Sequence, residues 1–405
     1  MYDRRQKKAA QKKWCDLVAD VAQQPASTRE LPRTLNVILS APPGDSLGTS
    51  QVFFKEYIKP ILVAAALEYD LIQGRREGDV RYGVAEQIRR LRRKKGEVGE
   101  NGAQTEMDGE QMLAVFREQA GINPPPGVRG DVVVGRHTWK EYVRGVHEGW
   151  LGPLDPPPDP AAEATPLVHS TSSSEDAPPE KTEQQIRKEE EEKKKVEERK
   201  KNDRPAAYIP TSAYASAPLS PHTPSILEPS QPFHQYHLLG FLKTPIRMWN
   251  YLNHRKLADE CGRQAAAVVL AAYRPYQQDE YFASTSSEEL DSSPRLATQA
   301  PENDAATVST SQTFEQESIN VQDELTWHKS VRKPKKIDET RERIWMADMV
   351  LDPRITSRMR RFQLEPEEEA RAARIDRGEE KGRAIPVDDL EKQESIIGNL
   401  DDEAA

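Results

Sequence analysis

Short apolar runs alternate with amphipathic segments over the first 150 residues of the chain. Three short apolar runs predict buried strands, at TLNVILSA (34–41), EYDLIQG (68–74) and 131–134. Apolar positions three and four residues apart predict helices at 49–67, at 79–96, at 109–121 and after the third strand. Strands and helices in this order predict a parallel sheet with flanking helices, an α/β domain at about 30–154.

The helices of this domain have recognisable ends and faces. Pro60 is expected to kink or split the helix at 49–67, because proline removes a backbone donor. Asp79 is expected to cap the helix at 79–96, and its inward face is predicted to carry Val80, Val84, Ile88 and Leu91. The helix after the third strand is predicted to bury Trp139, Tyr142, Val143 and Val146.

A basic helix precedes the domain, within residues 1–29. It is predicted over 3–24, ends before Pro25 and carries Trp14, Leu17, Val18 and Val21 on one face. Its first part, RRQKKAAQKK (4–13), is dense in lysine and arginine beside that face, which is typical of a helix that lies on a membrane surface.

The rest of the chain predicts a smaller mixed ordered region between long disordered linkers. A linker at 155–205 contains a charged helix (182–201) with too few apolar positions for a coiled coil. Residues 206–277 regain order, with a helix after Pro245; the apolar run 261–277 favours a buried strand over a helix. The predicted order then continues with a disordered linker at 278–325, a docking segment at 326–362 and an acidic tail at 363–405.

Composition explains why so much linker is expected. Of the 405 residues, 36% are hydrophobic and 31% are charged, too polar a mixture for the whole chain to bury a core. The net charge is −9, but the charged residues are grouped in acidic and basic blocks, so the net charge excludes no class of partner. The spacing of Cys15 and Cys261 does not establish a bridge and favours two unpaired thiols. No run approaches the roughly 20 apolar residues of a membrane span, so the sequence as given reads as soluble.

The junction between the third strand and its helix, VVVGRHTW (132–139), is the strongest candidate for a phosphate site. A phosphate loop needs glycines, so that backbone N–H groups can approach the anion at a helix N-terminus. Only Gly135 remains here, and it is followed by Arg136, His137, Thr138 and Trp139. These side chains leave little room, and Thr138 is expected to be the N-cap of the helix.

The other candidate motifs are weaker. The turn SAPPGDSLGTSQ (40–51) is neither GxGxxG nor GxxxxGK[ST]. The run RRLRRKK (89–95) has no aromatic residues to stack on bases, so it is expected to be a solvated helix end and no nucleic-acid partner is predicted. His234 and His237 lack further ligands at metal-binding spacing. The sequence thus predicts no catalytic, cofactor-binding or metal-binding residues, no cofactor and no enzyme.

Several stretches together resemble one family. They are YDRRQKKAAQKKWCDLV (2–18), STRELPRTLNVILSAPPGDS (27–46), the long run from 56 to 97, HLLGFLKTPIRMWNYLNHRKLADE (237–260) and IWMADMVLDPRITSRMRRF (344–362). They are similar to the Tim fifty-four family, the large intermembrane-space subunit of the fungal translocase that inserts carriers into the mitochondrial inner membrane. The resemblance implies a membrane span directly before the YDRRQKK-like segment, which the sequence as given lacks, and a protein mostly in the intermembrane space.

A weaker resemblance concerns the fold. The order of strands and helices is similar to the N-terminal lobe of diacylglycerol-type lipid kinases, whose third strand ends in a GGDGT phosphate loop. The corresponding positions here run from Gly135 to Trp139, and they lack the second glycine and the acidic residue. This resemblance implies a kinase-like lobe without the groups for phosphoryl transfer.

Together these observations predict a non-catalytic scaffold of an inner-membrane translocase. Its expected partners are other translocase subunits, small intermembrane-space chaperones and the inner membrane. Two alternatives stay open: an active lipid or nucleotide kinase, and a peripheral protein that binds anionic lipid through its basic blocks.

Overall fold

A six-stranded sheet lies at the centre of the computed structural model, which describes residues 2–25, 29–99, 109–123, 128–157, 206–280, 312–319 and 343–380. Its strands are β1 (Thr34–Ser40), β2 (Glu68–Gly74), β3 (Asp131–Val134), β4 (Ser230–Phe233), β5 (Tyr273–Pro275) and β8 (Arg360–Phe362). Their order is β2-β1-β3-β4-β8-β5; every neighbouring pair is parallel except β8 with β5. The predicted α/β class and the first three strands are therefore confirmed.

Helices cover both faces of the sheet. The longer ones are α1 (Tyr2–Val18), α4 (Asp79–Lys94), α5 (Gly109–Gln119), α6 (Arg136–Leu151), α7 (Thr244–Leu252), α8 (His254–Leu270) and, after the short α9 (Pro353–Thr356), α10 (Pro366–Asp376). The predicted helix at 49–67 is divided into α2 (Leu47–Phe53), a π turn (Phe54–Ile58) and α3 (Lys59–Ala64). Pro60 lies at the start of α3, directly after the π turn, so the regular α-helical pattern is interrupted where the sequence predicted a kink or a split, while the chain stays helical throughout.

Two apolar cores result from the alternation of side chains along the strands. Leu35, Val37 and Leu39 of β1 point into the core formed with α1, α3 and α8. Ile38, between them, points to the opposite core, which α4 and α6 cover. Every residue of α6 is buried, because the segments at 206–230 and 343–359 pack over its outer side.

The predicted strand at 261–277 is wrong for most of its length. Residues up to Leu270 belong to α8, and only Tyr273–Pro275 form a strand. Alanine is the best helix former, and α8 buries Ala258, Cys261 and Ala265 at helical spacing against α1 and the sheet. Val268 and Val269 follow the same face, because burial outweighs their weak preference for strands.

The sheet draws strands from three of the predicted segments, 30–154, 206–277 and 326–362. The segment boundaries themselves stay predictions. Inside the expected linker at 278–325, β6 (Gln278–Glu280) and β7 (Gln312–Phe314) pair antiparallel. The charged helix at 182–201 and the tail beyond 380 lie outside the described residues. Within the described ranges, no helix has the length and apolar character of a membrane span.

Candidate functional site

The corner between β3 and α6 lies at the carboxyl edge of the sheet. Its neighbours β1 and β4 end at the same edge, at Ser40 and Phe233. Ligands of open parallel sheets bind outside this edge, so the corner is where an anion would sit. Gly135 makes the turn with a φ of +91°, a conformation that other residues rarely adopt, and α6 begins at Arg136.

Side chains from three segments fill this corner. A Cβ at Gly135 would lie 3.2 Å from Gln235 Oε1 and 3.2 Å from His137 Cε1. The hydroxyl oxygen of Ser50 lies 2.8 Å from the Ser40 carbonyl oxygen and 3.1 Å from Gln235 Oε1, which fixes the amide in place. Imidazole and carboxamide therefore crowd the turn on the side where a Cβ would point, and they narrow the approach of an anion to the bare backbone.

Thr138 does not cap α6, contrary to the sequence prediction. The N-cap position belongs to Gly135, and Thr138 is fully buried one turn further on. The Oγ1 atom of Thr138 lies 2.8 Å from Ser40 Oγ, so this hydroxyl pair joins α6 to β1. Both hydroxyls are thereby engaged with each other.

The imidazole of the corner is uncharged near neutral pH. Burial lowers the pKa of His137 from 6.5 to about 3, and a contact of 3.5 Å with the Ser40 carbonyl offsets this only in part. A neutral His137 adds no positive charge that would attract phosphate. Its ring instead packs edge-on against Trp345, with the ring centroids 5.6 Å apart.

A cavity of about 560 Å³ opens beside the corner. The corner itself forms part of its wall, through Gly135, Arg136 and His137; the rest of the lining includes the stretch 232–238 at the end of β4, Lys243, Glu260 and Gln264 from α8, and Arg361. Among the described residues of the lining, Glu260 is the only carboxylate, and no three metal-ligating side chains cluster anywhere in the described ranges. Phosphoryl transfer uses acidic ligands to hold its magnesium ions, and this set of residues does not supply them.

The two candidate histidines and the two cysteines have separate surroundings. His234 packs edge-on against Tyr236, and His237 Nε2 lies 3.5 Å from a carboxylate oxygen of Asp45.

Cys15 and Cys261 are both free thiols in the core next to the sheet, in agreement with the sequence. Burial raises the pKa of each thiol, which makes both poor nucleophiles.

The basic run at 89–95 is only in part the solvated helix end that the sequence predicted: Arg90, Lys94 and Lys95 are exposed, but Arg89 and Arg92 are not. Arg89 is fully buried, and its Nη2 donates to Glu148 Oε1 at 2.5 Å. Arg92 is also buried, and it donates to the carbonyl oxygens of Gly149 and Gly152. Leu91, predicted to face inward, is 42% exposed instead.

The same correction applies to the start of α4. Gly78, with a φ of +96°, occupies the N-cap position, and the predicted cap Asp79 accepts from the two N–H groups that precede the turn. Glu141 of α6 caps the N-terminal turn of α4 instead, because its Oε2 accepts a hydrogen bond from Val80 N at 3.0 Å. Burial raises the pKa of Glu141 to about 7.

His147 of α6 holds the segment that leads into β8. Its Nδ1 donates to the Val143 carbonyl oxygen at 2.8 Å, which leaves Nε2 to accept from Asp352 N at 3.0 Å. This arrangement requires the neutral imidazole, because a protonated ring has no acceptor. Burial accordingly lowers the pKa of His147 to about 4.

Acidification from pH 7 to pH 5 is expected to lower the free energy of unfolding by about 2 kcal/mol through His147. Because its folded pKa of about 4 lies below the ordinary 6.5, the unfolded chain takes up the proton first, and stability is lost as the pH falls through this window. Urea titrations at both pH values measure the loss. His147→Gln should lose about 2 kcal/mol less than the wild type; equal losses would contradict this role.

Comparison with known proteins gives concordant matches along nearly the whole chain. The family model described as "Inner membrane protein import complex subunit Tim54" matches residues 1–362. A relative from Aspergillus fumigatus is 44% identical over 423 aligned positions, covering 99% of this chain and 96% of the relative. One from Neurospora crassa is 46% identical and covers 94% of this chain and 77% of the relative. Both are named mitochondrial import inner membrane translocase subunit tim54.

Proposed function

The chain belongs to the Tim54 family of inner membrane protein import complex subunits, and we propose that it is a non-catalytic scaffold for the insertion of carrier proteins. The resemblance read from the sequence is confirmed at the level of the family and of the mitochondrial inner-membrane translocase. The scaffold role, the specificity for carriers and the absence of catalysis are the proposal.

The crowded corner between β3 and α6 carries the proposal. Its backbone turn has the place in the sheet where parallel α/β folds bind ligands, and Gln235 and His137 crowd that turn. A phosphate that approached the turn would meet the amide that Ser50 contacts and a neutral imidazole. This crowding supports a fold whose work is to present surfaces to other proteins.

The proposed setting is the intermembrane-space side of the inner membrane. The partners would be other subunits of the translocase and the small chaperones that deliver its clients. The name of the family supports a complex at this membrane, and the two-sided fold offers helix faces on which such partners can dock.

The tagged full-length chain, expressed in fungal mitochondria, is expected to co-purify with other subunits of the inner-membrane translocase. Added protease should degrade it only after the outer membrane has been opened, which tests the orientation. Fractionation to the cytosol or nucleus, or digestion in intact mitochondria, would overturn the proposed setting.

The same purified chain is expected to give no saturable binding of ATP with magnesium up to millimolar nucleotide, because Gln235 and His137 crowd the turn and the described cavity lining has one carboxylate. Isothermal titration calorimetry measures this, and an active diacylglycerol-type kinase is the positive control. Saturable binding that weakens in the variant Gly135→Ala, with the fold retained by circular dichroism, would support a kinase and contradict the scaffold.

A further inference from the structure

Helix α7 and the turn before it form an apolar surface that nothing in the described structure covers. None of the nine residues of α7 is buried. In the preceding turn, Phe241 and Leu242 are 87% and 90% exposed. The large exposed apolar side chains of α7 are Ile246, Met248, Trp249, Tyr251 and Leu252. A surface helix of a soluble protein ordinarily buries one face, so this arrangement marks a binding surface.

The helix has two distinct faces. Lys243, Ile246 and Asn250, spaced three and four apart, line the cavity beside the β3–α6 corner. Met248 and Leu252 lie on the opposite side of the helix, with Trp249 and Tyr251 at its two flanks. The outward face thus has an aliphatic centre between two amphipathic aromatic side chains.

The first turn of α1 lies next to the end of this helix. Arg255, three residues after α7, donates its backbone N–H to Asp3 Oδ1 at 3.4 Å, and its guanidinium lies 5.4 Å from the centre of the Tyr2 ring. The basic run at 4–13 is therefore brought to the edge of the apolar surface by the packing of α1 on α8.

The basic run divides into two sets by the face of α1 on which each residue lies. Lys7 pairs with Glu56, and Lys13 pairs with Asp259, so these two cations join α1 to neighbouring helices. The exposed cations at this end of the molecule pair with no carboxylate among the described residues; they are Arg4, Arg5, Lys8, Lys12, Arg247 and Lys256. They are available to an anionic partner.

The stretch from Phe241 to Lys256 contains four lysines and arginines and no aspartate or glutamate. Apolar side chains, flanking tryptophan and tyrosine, and surrounding cations are the combination that places a helix in the interface of a bilayer. Such a bilayer supplies hydrocarbon for the centre of the face and phosphate for its basic rim. A subunit of an inner-membrane complex works beside such a surface.

We propose that α7, with the turn at 241–243, lies in the plane of an anionic bilayer, and that the exposed cations of α1 contact the headgroups. The helix would enter the interface by about 5–10 Å, the depth usual for such helices. The cavity beside the corner would then face away from the membrane, because it lies on the opposite side of α7.

Vesicle flotation of the purified full-length chain tests the proposal. The vesicles contain phosphatidylcholine and phosphatidylglycerol, and a second set contains phosphatidylcholine alone. The wild type is expected to float with the anionic vesicles, and Leu242→Glu/Trp249→Glu should weaken binding by about tenfold or more. The control is Leu113→Glu/Phe116→Glu on α5, which adds the same charges at exposed apolar positions and should leave binding unchanged.

Two further measurements test the basic rim and the apolar face of this surface separately. Arg4→Gln/Arg5→Gln/Lys8→Gln should weaken binding to anionic vesicles and flatten its dependence on salt. Lipids brominated near the top of the acyl chain should quench the fluorescence of the wild type but much less that of Trp249→Phe.

Three outcomes would overturn the proposal: no binding of the wild type to anionic vesicles, equal binding of the α7 and α5 variants, or quenching that persists in Trp249→Phe. If the α7 variant binds vesicles normally but no longer co-purifies with translocase subunits, the surface is a protein interface and the bilayer assignment is wrong. The scaffold role is tested separately, since loss of lipid binding with intact co-purification leaves it standing.

Discussion

Replacement of Glu148 by alanine is expected to lower the free energy of unfolding by about 4 kcal/mol. Glu148 is fully buried in α6, and its two carboxylate oxygens accept from Arg81 and Arg89 of α4. It also accepts from the backbone N–H of Tyr208 at 3.1 Å. Without the carboxylate, both buried guanidinium groups lose their shared anion, and Arg89 keeps the more distant carboxylate of Glu86 at 3.5 Å.

The cost follows from the burial of both arginines. Arg81 and Arg89 are each exposed by 2% or less, so water cannot replace the lost partner. The Arg89 guanidinium is further fixed 3.5 Å from the centre of the Tyr208 ring, which prevents it from swinging outward. Removal of one partner from a buried ion pair typically costs about 3–5 kcal/mol for this reason.

Urea unfolding followed by far-ultraviolet circular dichroism measures the change. Glu369→Ala is the matched control, because Glu369 pairs with Arg263 at 3.0 Å with both side chains about half exposed, and it should change stability by less than about 0.5 kcal/mol. Glu148→Gln retains the shape without the charge and should fall between the two. Similar losses for Glu148→Ala and Glu369→Ala would contradict the buried network.

Gly262→Ala is the second substitution with a large expected effect, a loss of about 3 kcal/mol. In α8, Gly262 faces Trp14 of α1, and a Cβ there would lie 2.7 Å from Trp14 Cγ and 2.8 Å from its Nε1. The indole has little freedom to move, because it is 3% exposed and its Nε1 donates to Asp259 at 2.9 Å. The added methyl group must therefore push α1 away from α8.

The same urea titration measures this loss, with Gly83→Ala in α4 as the control. A Cβ at Gly83 would meet only Ile72 at an ordinary 3.5 Å, so this helical glycine should gain about 0.5–1 kcal/mol on replacement. Trp14→Leu combined with Gly262→Ala should recover part of the loss, because the smaller side chain makes room. A neutral Gly262→Ala would mean that α1 and α8 do not approach as closely as described.

Helix α4 illustrates where the sequence was sufficient and where it was not. The spacing of apolar residues located the helix and its inward face, and Val80 and Val84 are buried as predicted. Ranking residues by hydrophobicity then assigned Leu91 to the core and Arg92 to solvent, and the structure has the reverse. The arginines are buried because α6 and the loop after it supply their hydrogen-bond acceptors. The spacing of residues within α4 gives no information about those acceptors.

The candidate corner shows the same division. The sequence placed a single glycine before bulky residues at the end of β3 and indicated crowding there. It did not identify Gln235 or Ser50, which come from other segments of the chain and crowd the turn at Gly135 together with His137. Periodicity in one segment contains no information about which side chain of another segment will point at it.

The sequence by itself determined the first three strands, the helices between them, the α/β class and the family, since these depend on local spacing, turn residues and a recognisable succession of motifs. Only the tertiary structure decided that 261–270 is helical, that α4 buries its arginines, and that α7 remains uncovered beside the basic end of α1. The uncovered state of α7 is that of the described residues, and these features depend on the contacts, present or absent, between residues far apart in the chain, such as Arg89 with Glu148 and Asp3 with Arg255. Their free energies arise from burial and charge pairing, which exist only once the segments have come together.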